Sequence, residues 1–348
     1  MSVTACGKSQ RGVALISMLL VFTLVVLLVA GVVTRSSFDI RRTSQQLQRE
    51  QAWQYALGAE ALARQILHQD WQDDQQQQDG DSLAEPWAQP RRFEPDDGEM
   101  RMVVEDLQGR FNLNSLVNAG GNANATRGAV WQRLLLLLGV SGDTGALTDW
   151  LDRDTTPTAS NSEDSFFLSQ SPAYRSADGA LDSVLELQAL RQFDQSQLAA
   201  LLPHVADLPP ATSAINPNTA SAEVLSSLNP RLDGTALVAA RNNNDGFKNV
   251  AELLQHPVTA GVELDPQLFT VQSEYFLVWV VARYQQQHVY LRSLLHRDPA
   301  TGALQLLWRN RQPPSNVHNP LQAASGYYSA AIGNESGKGN HQQEYRSP

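Results

Sequence analysis

The sequence predicts an α+β fold: a long, partly transmembrane N-terminal helix packed on a small antiparallel sheet, with a large all-α insertion. Three observations predict it. An uncharged run covers residues 13–33, and helix-forming residues continue from it to about residue 69. Strand-like alternation appears near residue 100 and returns only after residue 272, and the residues between these two regions have helical spacing.

The N-terminal helix is predicted first by its apolar half. Residues 13–33 contain no charged residue, and at 1.5 Å per residue a helix of that length is about 30 Å long, which spans a bilayer. Ser17 and Thr23 can bond to their own helix's carbonyls. In residues 34–69 the recurring positions are Leu47, Trp53, Leu57, Ala61 and Ile66. One helix of about 55 residues is predicted; the alternative is an anchor followed by a separate soluble helix.

Residues 1–12 form a short polar leader that ends in Lys8-Ser9-Gln10-Arg11-Gly12, directly before the apolar run. This arrangement resembles the type IV pilin superfamily. The resemblance implies that prepilin peptidase cuts between Gly12 and Val13 on the cytoplasmic side of the inner membrane. It also implies that Val13 becomes a methylated N-terminus and that the apolar helix is retained, with the bulk of the chain in the periplasm.

Position five of the mature chain departs from that superfamily, because most members carry Glu there and this chain has Ser17. A carboxylate in a membrane helix costs about 2.5–3.5 kcal/mol, and in pilins it is understood to pair with the N-terminal amine of the subunit above. A subunit with nothing above it does not need that pair. The superfamily member known to lack this Glu is the K-type minor pseudopilin of type II secretion, proposed to sit at the pseudopilus tip. Alternatively, Ser17 is a neutral change in an ordinary anchor.

The predicted sheet is assembled from two distant parts of the chain, residues 70–115 and 272–311. Within the first part, residues 70–97 are acidic and Gln-rich with three prolines, which predicts a loop. The predicted strands are 99–106, 275–283, 288–296 and 304–311. We expect the sheet to close near Met102, which would make residues 116–271 a helical insertion.

Part of the insertion, residues 215–225 (Ile-Asn-Pro-Asn-Thr-Ala-Ser-Ala-Glu-Val-Leu), resembles the opening of helix-hairpin-helix or SAM-like modules. There, Thr219 or Ser221 would cap the next helix. DNA-binding versions need a Gly-rich hairpin with basic residues beside it. Residues 229–234, Asn-Pro-Arg-Leu-Asp-Gly, supply one glycine and an acid instead. The net charge of −10, which becomes −12 once the leader is removed, also argues against a nucleic-acid partner.

The candidate metal site is the densest group of acids in the insertion: Asp149, Asp152, Asp154, Glu163 and Asp164. Carboxylate oxygens are the ligands that Ca²⁺ prefers. An EF-hand loop is excluded, because counting from Asp152 puts Pro157 at the position of the turn glycine. The segment Asp-Trp-Leu-Asp-Arg-Asp, residues 149–154, resembles the "D-W-x-D-x-D" of the K-type pseudopilins, which implies structural calcium. The alternative is a solvated acidic loop with Arg153 and Arg175 as counter-ions.

No enzyme is predicted. The histidines do not form a zinc pair, and the chain lacks a nucleophile elbow and a phosphate-binding glycine loop. The only cysteine, Cys6, lies in the leader, so no disulfide is expected in the mature chain. Residues 312–348 are rich in Asn, Gly, Ser and Pro, which is typical of a disordered tail.

The resemblance to the K-type pseudopilins covers residues 10–311 and includes Asp-Leu-Gln-Gly-Arg-Phe-Asn-Leu-Asn at 106–114. It implies a minor pseudopilin that initiates or caps pseudopilus assembly, for export of folded proteins across the outer membrane. The implied partners are the I-, J- and H-type minor pseudopilins, the major pseudopilin, prepilin peptidase and the inner-membrane secretion platform. Two alternatives remain, a minor pilin of a type IV pilus or DNA-uptake machine and a membrane-anchored helix-hairpin-helix DNA-binding protein.

Overall fold

The computed structural model of the chain describes residues 11–154, 156–158, 164–314 and 319–322. Its first element is α1, Arg11–Gln77, a single helix of 67 residues. The helix continues without interruption from the apolar run into the polar segment, so the prediction of one continuous helix is confirmed. The alternative of an anchor and a separate helix is wrong.

The end of α1 differs from the prediction, which placed a loop from residue 70. The helix continues to Gln77 because Gln is a good helix former and neither Gly nor Pro occurs between Gly58 and Gly80. Gln78 then takes the left-handed conformation with φ of 55°. The Asp79 backbone N–H donates to the Asp74 carbonyl at 3.2 Å, as expected for a helix C-cap.

Within the described residues, seven strands form two sheets. Their bounds are Arg91–Phe93 (β1), Gly98–Asp106 (β2), Phe111–Asn112 (β3), Val205–Ala206 (β4), Tyr275–Tyr284 (β5), Gln287–Arg297 (β6) and Leu304–Asn310 (β7). The main sheet is antiparallel in the order β1-β2-β5-β6-β7. Met102 lies opposite Val280, which confirms that the two distant parts of the chain close one sheet. Strand β1 lies within the segment that was predicted to be only loop.

The insertion between β2 and β5 is mainly helical. Its α-helices are Ala125–Leu137 (α2), Thr144–Leu151 (α3), Asp164–Phe167 (α4), Gln195–Leu201 (α5), Ala222–Leu228 (α6), Gly234–Asn243 (α7) and Val250–Gln255 (α8). The expectation of an all-α insertion is wrong at β4, which pairs in parallel with β3. Asn112 stabilises this short pairing, since its amide donates to the carbonyls of Pro209 and Thr212.

Helix α1 packs on the main sheet through small residues. Ala56, Ala59 and Ala63 are buried against β5 and β6, together with Leu67 one turn further on. The larger residue Leu47, which the sequence suggested for the apolar face, is 66% exposed. Alanine side chains allow the helix backbone to approach the sheet closely, which explains why the packed face is not the bulkiest one.

The other face of the sheet is covered by residues near β4 and by Leu321, which is buried. Leu321 belongs to the segment expected to be a disordered tail, so that expectation is wrong at this residue. Residues 315–318 and 323–348 of the predicted tail lie outside the described residues.

The helical insertion lies at the end of the sheet that is farthest from the apolar half of α1. At the near end, the Gln48 side chain donates to Gln285 at 2.7 Å. At the far end, β2 finishes at Asp106. The Asp106 carboxylate accepts hydrogen bonds from Ser273 and Thr219 at 2.6 Å each, which joins the insertion to the sheet.

Candidate functional site

The apolar half of α1 is the first functional feature. An 18-residue window has a mean hydropathy of 3.1, and none of that window is buried inside the protein. Its side chains are exposed in a continuous series, including Val13 at 71%. A helix of this length and composition is able to cross a membrane.

Ser17 is accommodated within the helix itself. Its hydroxyl donates to the Val13 carbonyl at 2.9 Å and lies 3.1 Å from the Ala14 carbonyl. Thr23 bonds back to Leu19 at 2.7 Å in the same way. Both polar groups therefore need no partner outside the helix to enter a bilayer.

The predicted processing residues lie at the start of α1, since Gly12 and Val13 are in its first turn. Residues 1–10 of the leader are outside the described part of the chain. Cleavage between Gly12 and Val13 stays a prediction.

The predicted calcium ligands fall into two groups. Asp149 and Asp152 lie one turn apart at the end of α3, and both are at most 2% exposed. The Thr158 backbone N–H donates to Asp149 Oδ2 at 2.9 Å, and the Thr158 hydroxyl donates to Asp149 Oδ1. Asp154 is exposed, and its Oδ1 accepts from the Thr156 N–H at 2.7 Å.

Asp164 lies at the start of α4 and faces a different set of partners. Its Oδ2 accepts from the Arg175 guanidinium at 3.1 Å, and its Oδ1 accepts from the Ser176 N–H and hydroxyl. Glu163 lies outside the described residues. The buried pair Asp149 and Asp152 fits the oxygen chemistry of Ca²⁺, whereas Asp164 is turned toward its arginine counter-ion.

A second group of acids was not predicted from the sequence. Asp70 and Asp74 lie one turn apart on α1, and Glu85 approaches them from the following loop. One carboxylate oxygen of each lies within 4.8 Å of the others, and we call these three residues the distal carboxylate group. The i, i+4 spacing of Asp70 and Asp74 was the available signal, but it was hidden because residues 70–97 were interpreted as loop.

Electrostatics in the distal carboxylate group are unfavourable for three charges. Burial, together with the neighbouring Glu85 and Asp81 carboxylates, raises the pKa of Asp70 to about 9 and that of Asp74 to about 8. Burial also raises the pKa of Glu85. The positive charge of Arg297 opposes these shifts for Asp70 and Asp74. Its shortest contacts are with the Asp81 carboxylate, however, so Asp81 offsets much of that charge.

Comparisons with known proteins agree across sequence and fold. The family description "Type II secretion system (T2SS), protein K" matches residues 109–210 and, as a second region, 215–272. Type II secretion system protein K of Pseudomonas aeruginosa is 36% identical over 283 residues, covering 78% of this chain and 84% of that protein. The Klebsiella pneumoniae protein of the same name is 35% identical over 316 residues, covering 84% and 94%.

A solved structure shares the fold. It is the GspK–GspI–GspJ complex of the type 2 secretion system from enterotoxigenic Escherichia coli, and the matched chain gives a TM-score of 0.65 at 24% identity. The match covers 78% of this chain and 100% of that one.

An apolar anchor helix continuing onto an antiparallel sheet, with a helical insertion at the far end, defines a minor pseudopilin. At 36% identity over most of both chains, the comparison is decisive for the family. The chain belongs to the type II secretion system protein K family, and its role is that of a minor pseudopilin in type II secretion.

Proposed function

We propose that this chain occupies the tip of the pseudopilus, where it initiates or caps assembly for export of folded proteins across the outer membrane. The observation that carries the proposal is the position of the helical insertion. It leaves the sheet at Asp106 and re-enters at Tyr275, both at the end away from the apolar helix. A wide module in that position blocks the surface on which a further subunit would stack.

Ser17 supports the same position. In an internal subunit a carboxylate near the helix start pairs with a neighbouring amine, whereas Ser17 is satisfied by Val13 and Ala14 of its own helix. The tip subunit has no neighbour above it, so the absence of a carboxylate costs it nothing. The missing charge also removes the desolvation penalty of about 2.5–3.5 kcal/mol in the membrane.

The proposed partners follow from the family and from the solved relative. That relative is a complex of GspK with GspI and GspJ, and we assign the I- and J-type minor pseudopilins as neighbours of this chain. The H-type minor pseudopilin, the major pseudopilin and the inner-membrane platform complete the assembly. The exposed apolar half of α1 is the surface that meets the equivalent helices of those subunits.

Biogenesis follows the pilin pattern in this proposal. Prepilin peptidase cleaves after Gly12, Val13 becomes the methylated N-terminus, and the chain stays in the inner membrane as a single-pass protein. The N-terminus then faces the cytoplasm, and the sheet and insertion lie in the periplasm. The chain performs no catalysis. It acts through its shape, because the helical insertion blocks the surface on which a further subunit would stack.

The helical insertion contains a helix-hairpin-helix unit made of α6 and α7 that serves packing. Ser221 caps α6, since its hydroxyl accepts from the Val224 N–H at 3.3 Å. The hairpin is tight, because a Cβ on Gly234 would lie 2.0 Å from the Ala222 carbonyl oxygen. Asp233 caps α7 by accepting from Ala236 at 3.0 Å. An acid at the helix start replaces the phosphate that DNA would place there, which disfavours the DNA-binding alternative.

Calcium in the insertion is part of the proposal. Asp149, Asp152 and Asp154 would hold the ion through carboxylate oxygens. Glu163 and Asp164 complete the predicted set, and Asp164 would exchange its contact with the Arg175 guanidinium for the ion. The ion would supply positive charge that stabilises two buried carboxylates at the end of α3. Its role is structural.

The tip position is tested by labelling the protein in cells that form extended pseudopili. An epitope tag at the C-terminus, detected with gold particles by electron microscopy, is expected at one end of each filament only. Label distributed along the filaments would contradict the tip assignment.

A second arm tests Ser17 by secretion of a reporter in a strain lacking the gene. Ser17→Ala should restore secretion to the wild-type level, because the hydroxyl bonds only within its helix. Ser17→Glu should give no higher secretion than Ser17→Ala. If only Ser17→Glu gives full secretion, the side chain has an intersubunit role and the tip assignment fails.

A further inference from the structure

The distal carboxylate group (Asp70, Asp74 and Glu85) gathers three acids at the joint between α1, the loop that follows it and the sheet. Two oxygen ligands of one calcium ion, each at about 2.3–2.6 Å from it, lie at most about 5 Å apart. The observed separation of up to 4.8 Å among the three oxygens matches that limit. The arrangement is therefore already compact enough for one ion.

Asp74 is the side chain that lacks a partner. The residue is 5% exposed, yet among the residues that the structure describes its carboxylate accepts no hydrogen bond and forms no ion pair. A buried carboxylate without a donor is strongly destabilising unless a cation or a proton neutralises it. One of its oxygens lies within 4.8 Å of an oxygen of Asp70 and an oxygen of Glu85.

The other two members of the group have donors, which makes Asp74 distinctive. Asp70 Oδ2 lies 3.3 Å from Arg297 Nη1. Glu85 Oε2 accepts from the Ser82 N–H at 2.9 Å and from the Trp87 indole N–H at 2.7 Å. These contacts fix the two flanking carboxylates in place around Asp74, so the three oxygens are positioned before any ligand arrives.

Protein cations do not balance the charge at this joint. Arg297 is 2% exposed and pairs through Nη2 with both oxygens of Asp81, so one guanidinium serves Asp81 and Asp70 together. Asp74 and Glu85 receive no ion pair in the described part of the chain. The local excess of negative charge favours a divalent cation over a monovalent one.

Solvent reaches the group from one side. Asp74 lines an open cleft of about 510 Å³ together with Asp79, Lys248 and Val271. Lys248 is 3.9 Å from Asp79 at the rim and does not pair with Asp74. A hydrated ion therefore has a path to the Asp74 carboxylate.

We propose that Asp70, Asp74 and Glu85 form a binding site for a hard divalent cation, with Ca²⁺ as the expected ion. The three carboxylates supply between three and six oxygen ligands, according to whether each binds through one oxygen or two, and water supplies the rest. The bound ion joins the last turns of α1 to the loop at Glu85. This site is separate from the predicted calcium ligands of the helical insertion.

The test is a calcium titration monitored by isothermal titration calorimetry. It uses the full-length protein, purified in detergent and freed of bound metal with a chelator. Asp74→Asn is compared with Asp73→Asn, a matched control on the exposed side of the same turn. Asp74→Asn should lose one equivalent of bound Ca²⁺, or bind it at least tenfold more weakly, while Asp73→Asn binds as wild type. Circular dichroism verifies that each variant is folded, and Glu85→Gln is the second variant.

Thermal unfolding distinguishes neutralisation of Asp74 by a bound cation from its neutralisation by a proton. Calcium chloride should raise the melting temperature of the wild type more than that of Asp74→Asn, also in a background carrying Asp149→Asn and Asp152→Asn. If Mg²⁺ binds to the same side chains more tightly than Ca²⁺, the proposal of a divalent-cation site is supported, and Mg²⁺ replaces Ca²⁺ as the assigned ion. Equal calcium equivalents and equal melting shifts in wild type and Asp74→Asn would overturn the proposal.

Discussion

Glu60 on α1 and Arg309 on β7 form a two-point ion pair, with Arg309 Nε 2.7 Å from Glu60 Oε2 and Arg309 Nη2 2.8 Å from Glu60 Oε1. Glu60 is 1% exposed, and it also accepts from the Ser293 hydroxyl at 2.6 Å. A single buried carboxylate thus ties the anchor helix to two strands. This contact fixes the rotation of α1 on the sheet, which sets the direction in which the apolar half of the helix leaves the sheet.

Replacing Glu60 should loosen the helix from the sheet. Glu60→Gln leaves Arg309 and the Ser293 hydroxyl without their charged acceptor, and a hydrogen bond to a charged group contributes about 1.5–3 kcal/mol. We expect the free energy of unfolding to fall by about 2–3 kcal/mol in urea denaturation of the full-length protein. The control Glu50→Gln lies on an exposed position of the same helix and should change it little. An equal effect of both substitutions would contradict the role of the pair.

The same pair predicts a pH dependence. Burial by itself raises the pKa of Glu60, but the hydrogen bonds from Arg309 and Ser293 and the charge of Arg64 outweigh it and hold the pKa below its ordinary value of 4.5. The folded state therefore binds this proton less readily than the unfolded state. The stabilisation is fully present above pH 4.5 and is lost as the pH falls through the folded-state pKa.

Unfolding curves at several pH values check that dependence. The difference in unfolding free energy between wild type and Glu60→Gln should be largest above pH 4.5 and should shrink below it. A difference that grows on acidification would show the opposite sign and refute the assignment.

Gly234 should be required for the packing of α6 against α7. A Cβ at this position would lie 2.0 Å from the Ala222 carbonyl oxygen, so the helices must separate, and overpacking of this kind costs about 1–3 kcal/mol. Gly234→Ala should therefore lower the melting temperature. Gly128→Ala in α2 is the control, because its Cβ meets nothing within 4 Å, and it should stabilise by about 0.4–1 kcal/mol. Matching effects of the two substitutions would contradict the close hairpin.

Calcium should stabilise the helical insertion through the buried acids of α3. A ligand at a hundred times its dissociation constant adds about 2.7 kcal/mol to stability. We expect the melting temperature to fall on chelation, and this fall to be smaller for Asp149→Asn with Asp152→Asn than for the exposed control Asp182→Asn. If the melting temperatures of the double variant and the control fall equally on chelation, Asp149 and Asp152 do not bind calcium.

The parts of the fold that the sequence predicted are those with strong local periodicity. The apolar run before residue 34 is unambiguous, and the aromatic alternation around Trp279 marks β5. The parts that were missed depend on contacts between distant residues. The pairing of β3 with β4 is only two residues long on each side, and it is held by the Asn112 amide rather than by a strand pattern.

The candidate sites show the same division. Asp149 and Asp152 are neighbours on one helix turn and were identified from their spacing. Glu85 lies close to Asp70 in a loop whose Trp87 packs against Phe276 of the sheet, with ring centroids 5.4 Å apart. The sequence pattern of this Gln-rich stretch does not predict that Glu85 lies near Asp70 and Asp74, because tertiary packing brings these three residues together.

The most direct test of the pseudopilin account is the N-terminal residue and intact mass of the protein purified from its native membrane. The account predicts a chain that begins at methylated Val13, with the leader through Gly12 removed. A chain that begins near Met1 would contradict prepilin processing. That result would favour an uncleaved membrane anchor that carries a binding module.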